Sequence, residues 1–361
     1  METQAKIPFY AKVALIFVGL FAFVYTLYIG QKIIVPILYA TIVAILLNPI
    51  VNFLVSKKIN KVIAISLAVF LALVVILFIF YIISSQVTMF SETYPQLKEK
   101  FDLTSDNLTQ WASDKFNIRP IKITTWIKES QMDAIGNIGI GEKISEAGRI
   151  LLVGMLLPVY IFMILFYKTL LLEFVRKLFK SEHHAVVVEV LTSTKTIIQS
   201  YLVGLFFEML IMAVLNSVGL LLLGIQYAII LGITGAILNI VPYIGGIIAI
   251  ALPMIIAFVT KDSSTYPLLV LAVYLFIQFI DNHFIIPHVV AKRVQLNALI
   301  SIVVVFVGGA LWGIPGMFLS IPLTAIIKVI FDHIDSLKPW GFLLGNIVPT
   351  TSRFSFIKQK K

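Results

Sequence analysis

The chain has 361 residues, 60% of them hydrophobic and 13% charged, with no cysteine and a formal net charge of +10. A soluble domain carries about 45–50% apolar and about 25% charged residues, so this composition leaves an apolar surplus that only lipid absorbs. The missing cysteines exclude disulfides, thiolate metal sites and cysteine nucleophiles. The basic excess sits in short clusters between apolar runs, where the positive-inside rule explains it without nucleic acid.

Three apolar runs open the chain, at residues 12–29, 33–55 and 62–83. Each has the 18 or more residues that cross a hydrocarbon layer of about 30 Å. All are expected to be helical, because an isolated strand leaves its backbone unsatisfied in lipid. The first run is longer than a signal-peptide core and no small-residue cleavage site follows it, so it reads as a retained span. Lys6 and Lys12 precede the first run, and Lys57, Lys58 and Lys61 lie between the second and third. That side is assigned to the cytoplasm.

Residues 84–148 are polar, with Val87, Phe90, Tyr94, Leu97 and Phe101 recurring at helical spacing. This segment is expected outside the membrane on the far side. A fourth span, 150–172, contains Pro158 and is followed by Arg176, Lys177 and Lys180 on the lysine-rich side. Residues 173–200 read as a cytoplasmic helix. Within it, the adjacent His183 and His184 point in different directions, so a solvated face is expected and not a shared metal.

From Tyr201 onward the sequence is almost continuously apolar, but glycine and proline interrupt it. A fifth span is expected at 202–223. The sixth is broken, with 228–240 and 247–259 flanking Val241-Pro242-Tyr243-Ile244-Gly245-Gly246. A seventh runs over 266–286. The eighth is broken as well, between 299–307 and 317–330, across Pro315 and Gly316, with Pro322 following. A basic tail closes the chain. With eight passes, Lys292 and Arg293 land on the side opposite the other cationic clusters. Either the broken segments are re-entrant hairpins or that loop is held for function. Gly235 precedes Pro242 by seven residues, as Gly308 precedes Pro315. Paired Gly/Pro-interrupted segments of this kind point to a transporter's binding site, because freed backbone groups must line a cavity or meet protein.

The fold expected is therefore all-α: a polytopic membrane protein with about eight transmembrane helices, two of them broken, plus a polar helical insert. Its segments are 1–83 (three N-terminal helices), 84–149 (the extracytoplasmic insert) and 150–200 (a fourth span and a cytoplasmic helix). They continue with 201–335, the core with both broken segments, and 336–361, a basic cytoplasmic tail.

Polar residues inside apolar runs are the candidate site. Asp281 ends a stretch interrupted only by Gln278, and a carboxylate in lipid costs at least about 2.5–3.5 kcal/mol. Gln278 and Asn282 lie one turn apart on one helical face, and Asp281 neighbours Gln278 at three residues. Glu208 lies within the fifth span. Asn239 and Tyr243 flank Pro242, where they offer hydrogen bonds to a solute or to freed backbone. For each residue the plainer alternative is solvation at the membrane surface or local backbone satisfaction. No catalytic residue, cofactor or metal set is expected: the chain has no H-E-x-x-H, no G-x-S-x-G and no phosphate-binding Gly-Lys-Ser/Thr loop. An ATP-driven pump is thereby disfavoured.

Several stretches together resemble the autoinducer-2 exporter family of bacterial membrane proteins. They are Gln199-Ser200-Tyr201-Leu202-Val203-Gly204, the 240–246 break, Asp281-Asn282 followed by Pro287, and Gly308-Gly309-Ala310-Leu311-Trp312-Gly313-Ile314-Pro315-Gly316 with Ser320-Ile321-Pro322. The resemblance implies about eight spans, a homo-oligomer and export of a small solute or signalling molecule across the bacterial inner membrane. Other members resemble cation/proton antiporters, which implies a coupling proton or sodium ion as the alternative. A non-transporting scaffold, whose insert recruits a partner, is the rival from another class. The solute site is expected between the two broken segments, with Asp281 supplying charge.

Overall fold

The structure is a computed structural model that describes residues 8–116, 156–241, 244–261, 263, 265–291 and 296–346. The described residues are helical throughout, with no β-structure among them beyond one isolated bridge between Leu296 and Gly345. The helices are α1 (Phe9–Ile29), α2 (Gln31–Ser56), α3 (Lys61–Phe116), α4 (Leu156–Phe166), α5 (Lys168–Leu178) and α6 (His184–Leu222). They continue as α7 (Ala228–Asn239), α8 (Ile244–Thr260), α9 (Thr265–Ile280), a π-helical segment Asp281–Ala291, α10 (Ala298–His333) and α11 (Lys338–Leu344).

Among the described residues, six helices are long and apolar enough to cross a membrane, and up to seven if α4 and α5 form one span. The pair α7 and α8 is apolar but short, at 12 and 17 residues. At 1.5 Å per residue these arms reach about 18 and 25 Å, less than a bilayer core of about 30 Å. The chain is thus an all-α polytopic membrane protein. Two boundaries differ from the sequence reading. The third span and the stripe beginning at Val87 form one 56-residue helix that carries Pro95 in its interior. The fifth span and the latter part of the preceding helix also merge, into the 39 residues of α6. No glycine or proline lies between Lys61 and Gln86, or in the first twenty residues of α6, to stop either helix. The remainder of the insert, 117–149, and the tail beyond 346 fall outside the described residues.

The chain divides into two compact units. The first comprises Met1–Leu46, Tyr167–Gly204 and Pro287–Lys361. Its interior packs Ile42, Ile198 and Leu319 together with Tyr39 and Trp312. The indole of Trp312 donates to Leu27 O at 3.0 Å, Tyr39 OH donates to Pro315 O at 3.1 Å, and Gln199 Nε2 donates to Ile45 O at 2.6 Å. These side chains satisfy carbonyls that lipid would leave bare.

Within this unit α10 is not a straight rod. Gly313 adopts φ 65 and ψ −148, a conformation that only glycine holds without strain. A Cβ placed on Gly308 would meet Gly316 O, and one on Gly316 would meet Gly308 O. Eight residues of continuous helix span about 12 Å, so this contact requires the chain to turn back at Gly313. The second broken segment is therefore a helical hairpin with arms 298–312 and 314–333. Pro315 sits at the start of the second arm, where a missing N–H costs nothing. Gly316 and Pro322 lie inside that arm, so the chain breaks at Gly313 and not at either of them.

The second unit comprises Leu47–Phe166 and Leu205–Ile286. Its core gathers Leu220, Leu231, Ala249, Ile256, Val270 and Tyr274 from α6, α7, α8 and α9. Small residues set the crossings, as expected where apolar burial gives no driving force between helices. Gly232 lies against Ser217, Gly219 against Val273, and Gly235 faces Ala249. A Cβ on Gly245 would strike the Leu238 carbonyl. Residues 238 with 245, and 235 with 249, are the pairings of two antiparallel arms. The first broken segment is thus also a hairpin, with its turn between Asn239 and Ile244. Gly245 and Gly246 belong to the second arm, where their lack of a side chain lets the arms close; Pro242 and Tyr243 fall outside the described residues.

Candidate functional site

The site is built in the second unit at the turn of the α7–α8 hairpin. Asp281 follows the last residue of α9 and is 0% exposed. Its Oδ2 accepts from Asn239 Nδ2 at 3.4 Å and from Gln278 Nε2 at 3.3 Å. Both distances lie beyond the usual range for N–H···O bonds, so the amides orient the carboxylate without clamping it. Its Oδ1 is buried with no protein partner.

Local sequence explains the placement. Tyr274, Gln278 and Asp281 follow one another at four and three residues, which puts them on one face of α9. Beyond Asp281 the backbone widens into a π-helix. Pro287 lies inside it, and the wider turn gives its ring more room beside the carbonyl four residues back. His283 Nδ1 lies 2.9 Å from Phe279 O, and its ring stacks on Phe279.

A small cavity of about 10 Å³ lies among Asn216, Gly235, Asn239, Gly246, Tyr274 and Gln278, with Met212, Ala249 and Ile277 completing its lining. Its fully free space admits little more than one water-sized group. Asn216 Oδ1 and Tyr274 OH are buried without a hydrogen-bond partner, as is Thr234 Oγ1. A bare buried polar atom costs about 1–3 kcal/mol. Of these, Asn216 and Tyr274 line the cavity, and their oxygens suit water or a hard cation, which prefers oxygen ligands.

The structure brings Asp281, Gln278 and Asn239 together. Glu208 is buried at 6% exposure in the same unit and within electrostatic reach of Asp281. Asn282 points away: its side chain is exposed, and among the described residues it makes no hydrogen bond to Asp281. Tyr243 is outside the described residues, as are Lys292 and Arg293. No cluster of three or more potential metal-ligating His, Cys, Asp or Glu residues occurs among the described residues. Tyr274 and Thr234 were not singled out from sequence. The four-residue step from Tyr274 to Gln278 is the signal that points to the former; Thr234 carries none beyond its neighbour Gly235.

Two helical hairpins, apolar helices of membrane-spanning length and a dry carboxylate beside a small polar cavity define a polytopic membrane protein of the transporter class. The chain belongs to the AI-2E transporter family, whose family model matches residues 15–336. It is similar to YueF of Bacillus subtilis strain 168, at 36% identity over 117 residues, 32% of this chain and 31% of that protein. A protein of Haemophilus influenzae strain Rd is 25% identical over 325 residues, 88% of this chain and 92% of its own length. PerM of Escherichia coli K12 is 26% identical over 175 residues, 48% of this chain and 49% of PerM. The first two names provisionally designate transport proteins and the third a permease. The match to YueF covers about a third of that protein's length.

Proposed function

We propose that the chain is a secondary transporter that moves a small polar solute outward across the bacterial inner membrane, with Asp281 as the charged group of its site. The carrying observation is the Asp281 carboxylate: fully buried, with one oxygen steadied by Asn239 and Gln278 and the other free of protein donors. An ionisable residue kept in an apolar span at such cost is a functional group by default. Membership in a transporter family supports the same reading. The absence of a nucleotide-binding loop favours a gradient as the driving force.

Orientation with both termini in the cytoplasm is supported by the hairpins. If both turn back within the membrane, six crossings remain, formed by α1, α2, the apolar part of α3, α4, α6 and α9. Lys292 and Arg293 then fall on the same side as Lys57, Lys58 and Lys177, in keeping with the positive-inside rule. A homo-oligomer in the lipid bilayer completes the proposal.

A second reading is cation/proton antiport. Its supporting observation is size: the cavity lined by Asn239 and Gln278, the two residues that hydrogen-bond Asp281, fits one water-sized group, and Glu208 is a second buried carboxylate in the same unit. The test is a flux screen of polar solutes, Na⁺ and H⁺ on purified protein in liposomes, with Asp281→Asn alongside. Solute flux lost in the variant supports the first reading. Coupled Na⁺ and H⁺ flux without solute supports the second. No flux of any kind returns the chain to the scaffold reading.

A further inference from the structure

Helix α5, Lys168–Leu178, is strongly amphipathic and none of its residues is fully buried. At about 100° per residue, Leu170, Leu171, Leu172, Phe174 and Leu178 share one broad arc. All five are exposed, Leu170 at 62%, Phe174 at 59% and Leu178 at 63%. Thr169, Glu173, Arg176 and Lys177 occupy the opposite arc. Between Lys168 and Ser181 there are four cations, Lys168, Arg176, Lys177 and Lys180, against one carboxylate. That carboxylate, on Glu173, pairs with Arg176 at 2.7 Å. The pair is exposed and weak, and the guanidinium keeps donors to spare.

In water such an apolar arc would be an aggregation hazard. The chain itself says what meets it. Only Tyr167 separates α5 from the apolar helix α4, so α5 starts where a membrane segment ends. A short helix with Leu/Phe on one side and Lys/Arg on the other, held at that depth, fits the plane of the lipid interface. Its cationic arc then faces headgroups, and anionic headgroups complement it.

We propose that α5 lies in the membrane interface with its leucines and Phe174 among the acyl chains, and that Arg176, Lys177 and Lys180 bind the phosphate headgroups of anionic lipids. This surface is independent of the solute site and of what the protein transports.

The cysteine-free chain permits a direct test. A single cysteine in place of Leu171 or Thr169, carrying a bimane fluorophore, is introduced into the full-length protein in liposomes of phosphatidylcholine and phosphatidylglycerol. One lipid or the other is brominated on its acyl chains to act as quencher. The label at 171 is expected to be quenched by lipid and protected from a water-soluble quencher, with the opposite at 169. Quenching at 171 should be at least about twofold stronger when the anionic lipid carries the bromine. The variant R176Q/K177Q/K180Q should keep the quenching and lose the twofold preference. A label at 171 open to water, or shielded from both water and lipid, overturns the interfacial placement. Equal quenching by both lipids in the unaltered protein overturns the headgroup site. Because the readout is local, a variant that merely folds poorly is recognised by a changed label at both positions.

Discussion

Asn239 Nδ2 and Asp281 Oδ2 lie 3.4 Å apart across 42 residues of sequence, joining the turn of the first hairpin to the end of α9. The bond is long, and the other carboxylate oxygen has no protein partner. The proposed role of Asp281 rests on this asymmetry, one oxygen steadied and the other buried without a hydrogen-bond partner. Movement of the hairpin turn would change its surroundings directly, because Asn239 is the last residue of α7.

The first prediction separates that role from a structural one. Asp281→Asn keeps the shape and removes the charge, and a neutral side chain is cheaper to bury. Transport should fall roughly 10- to 100-fold, as expected from losing a charged hydrogen bond of about 1.5–3 kcal/mol. Thermal stability of the purified variant should hold or rise. Normal flux with normal stability would remove Asp281 from the site. Loss of both together would mark it as the partner of a buried cation.

A second prediction concerns the hairpins. In Gly245→Ala the new Cβ meets the Leu238 carbonyl, a backbone atom that cannot swing aside. The arms must part, at a cost of about 1–3 kcal/mol. Gly313→Ala should cost a similar amount for another reason, the positive φ at the second turn. Gly19→Ala serves as control, since nothing lies within 4 Å of the added carbon. Thermal unfolding in one detergent should rank Gly245→Ala and Gly313→Ala well below the parent and Gly19→Ala beside it. If all three unfold together with the parent, the close contacts are not sustained in the molecule.

Much of this was readable in the sequence. The apolar runs gave the membrane class, because backbone satisfaction in lipid leaves few alternatives. Breaks at 241–246 and within 308–316 were legible from Gly and Pro. Whether the chain kinks or turns back was not: both need the same residues, and the difference lies in which glycines meet, Gly308 with Gly316 and Gly245 with Leu238. Asp281 stood out by its charge alone. Its link to Asn239 did not, because no local period connects residues 42 apart. Asn282 shows the converse failure: it adjoins Asp281 in sequence, yet its side chain turns outward.

The hairpins also carry a prediction about sidedness. If both turn back inside the membrane, cysteines placed at Lys57, Lys177 and Lys292 should all react with a membrane-impermeant reagent from the cytoplasmic side only. A cysteine at Lys98, in the polar part of α3, should react from the opposite side only. Labelling of position 292 from the same side as position 98 would show that the first broken segment crosses the membrane instead.

The last prediction concerns how the long helix α3 holds the first hairpin. Lys100 Nζ donates to Val259 O at 3.1 Å and to Lys261 O at 2.6 Å, at the C-terminal end of α8. The last four carbonyls of a helix have no partner of their own, and that end carries partial negative charge. A lysine reaching it supplies both hydrogen bonds and countercharge, each charged bond contributing about 1.5–3 kcal/mol. The ammonium also lies 5.9 Å from the centre of the Phe258 ring. Lys100→Met keeps the length and apolar stem of the side chain while removing the donor. Amide exchange over residues 258–263 should then quicken roughly 10-fold or more, whereas exchange in α1 stays as it was. Lys100→Arg should restore much of the protection, since a guanidinium also donates to carbonyls. Unchanged exchange over 258–263 in the methionine variant would mean that the α8 terminus is held without Lys100 and that α3 does not anchor the hairpin through it.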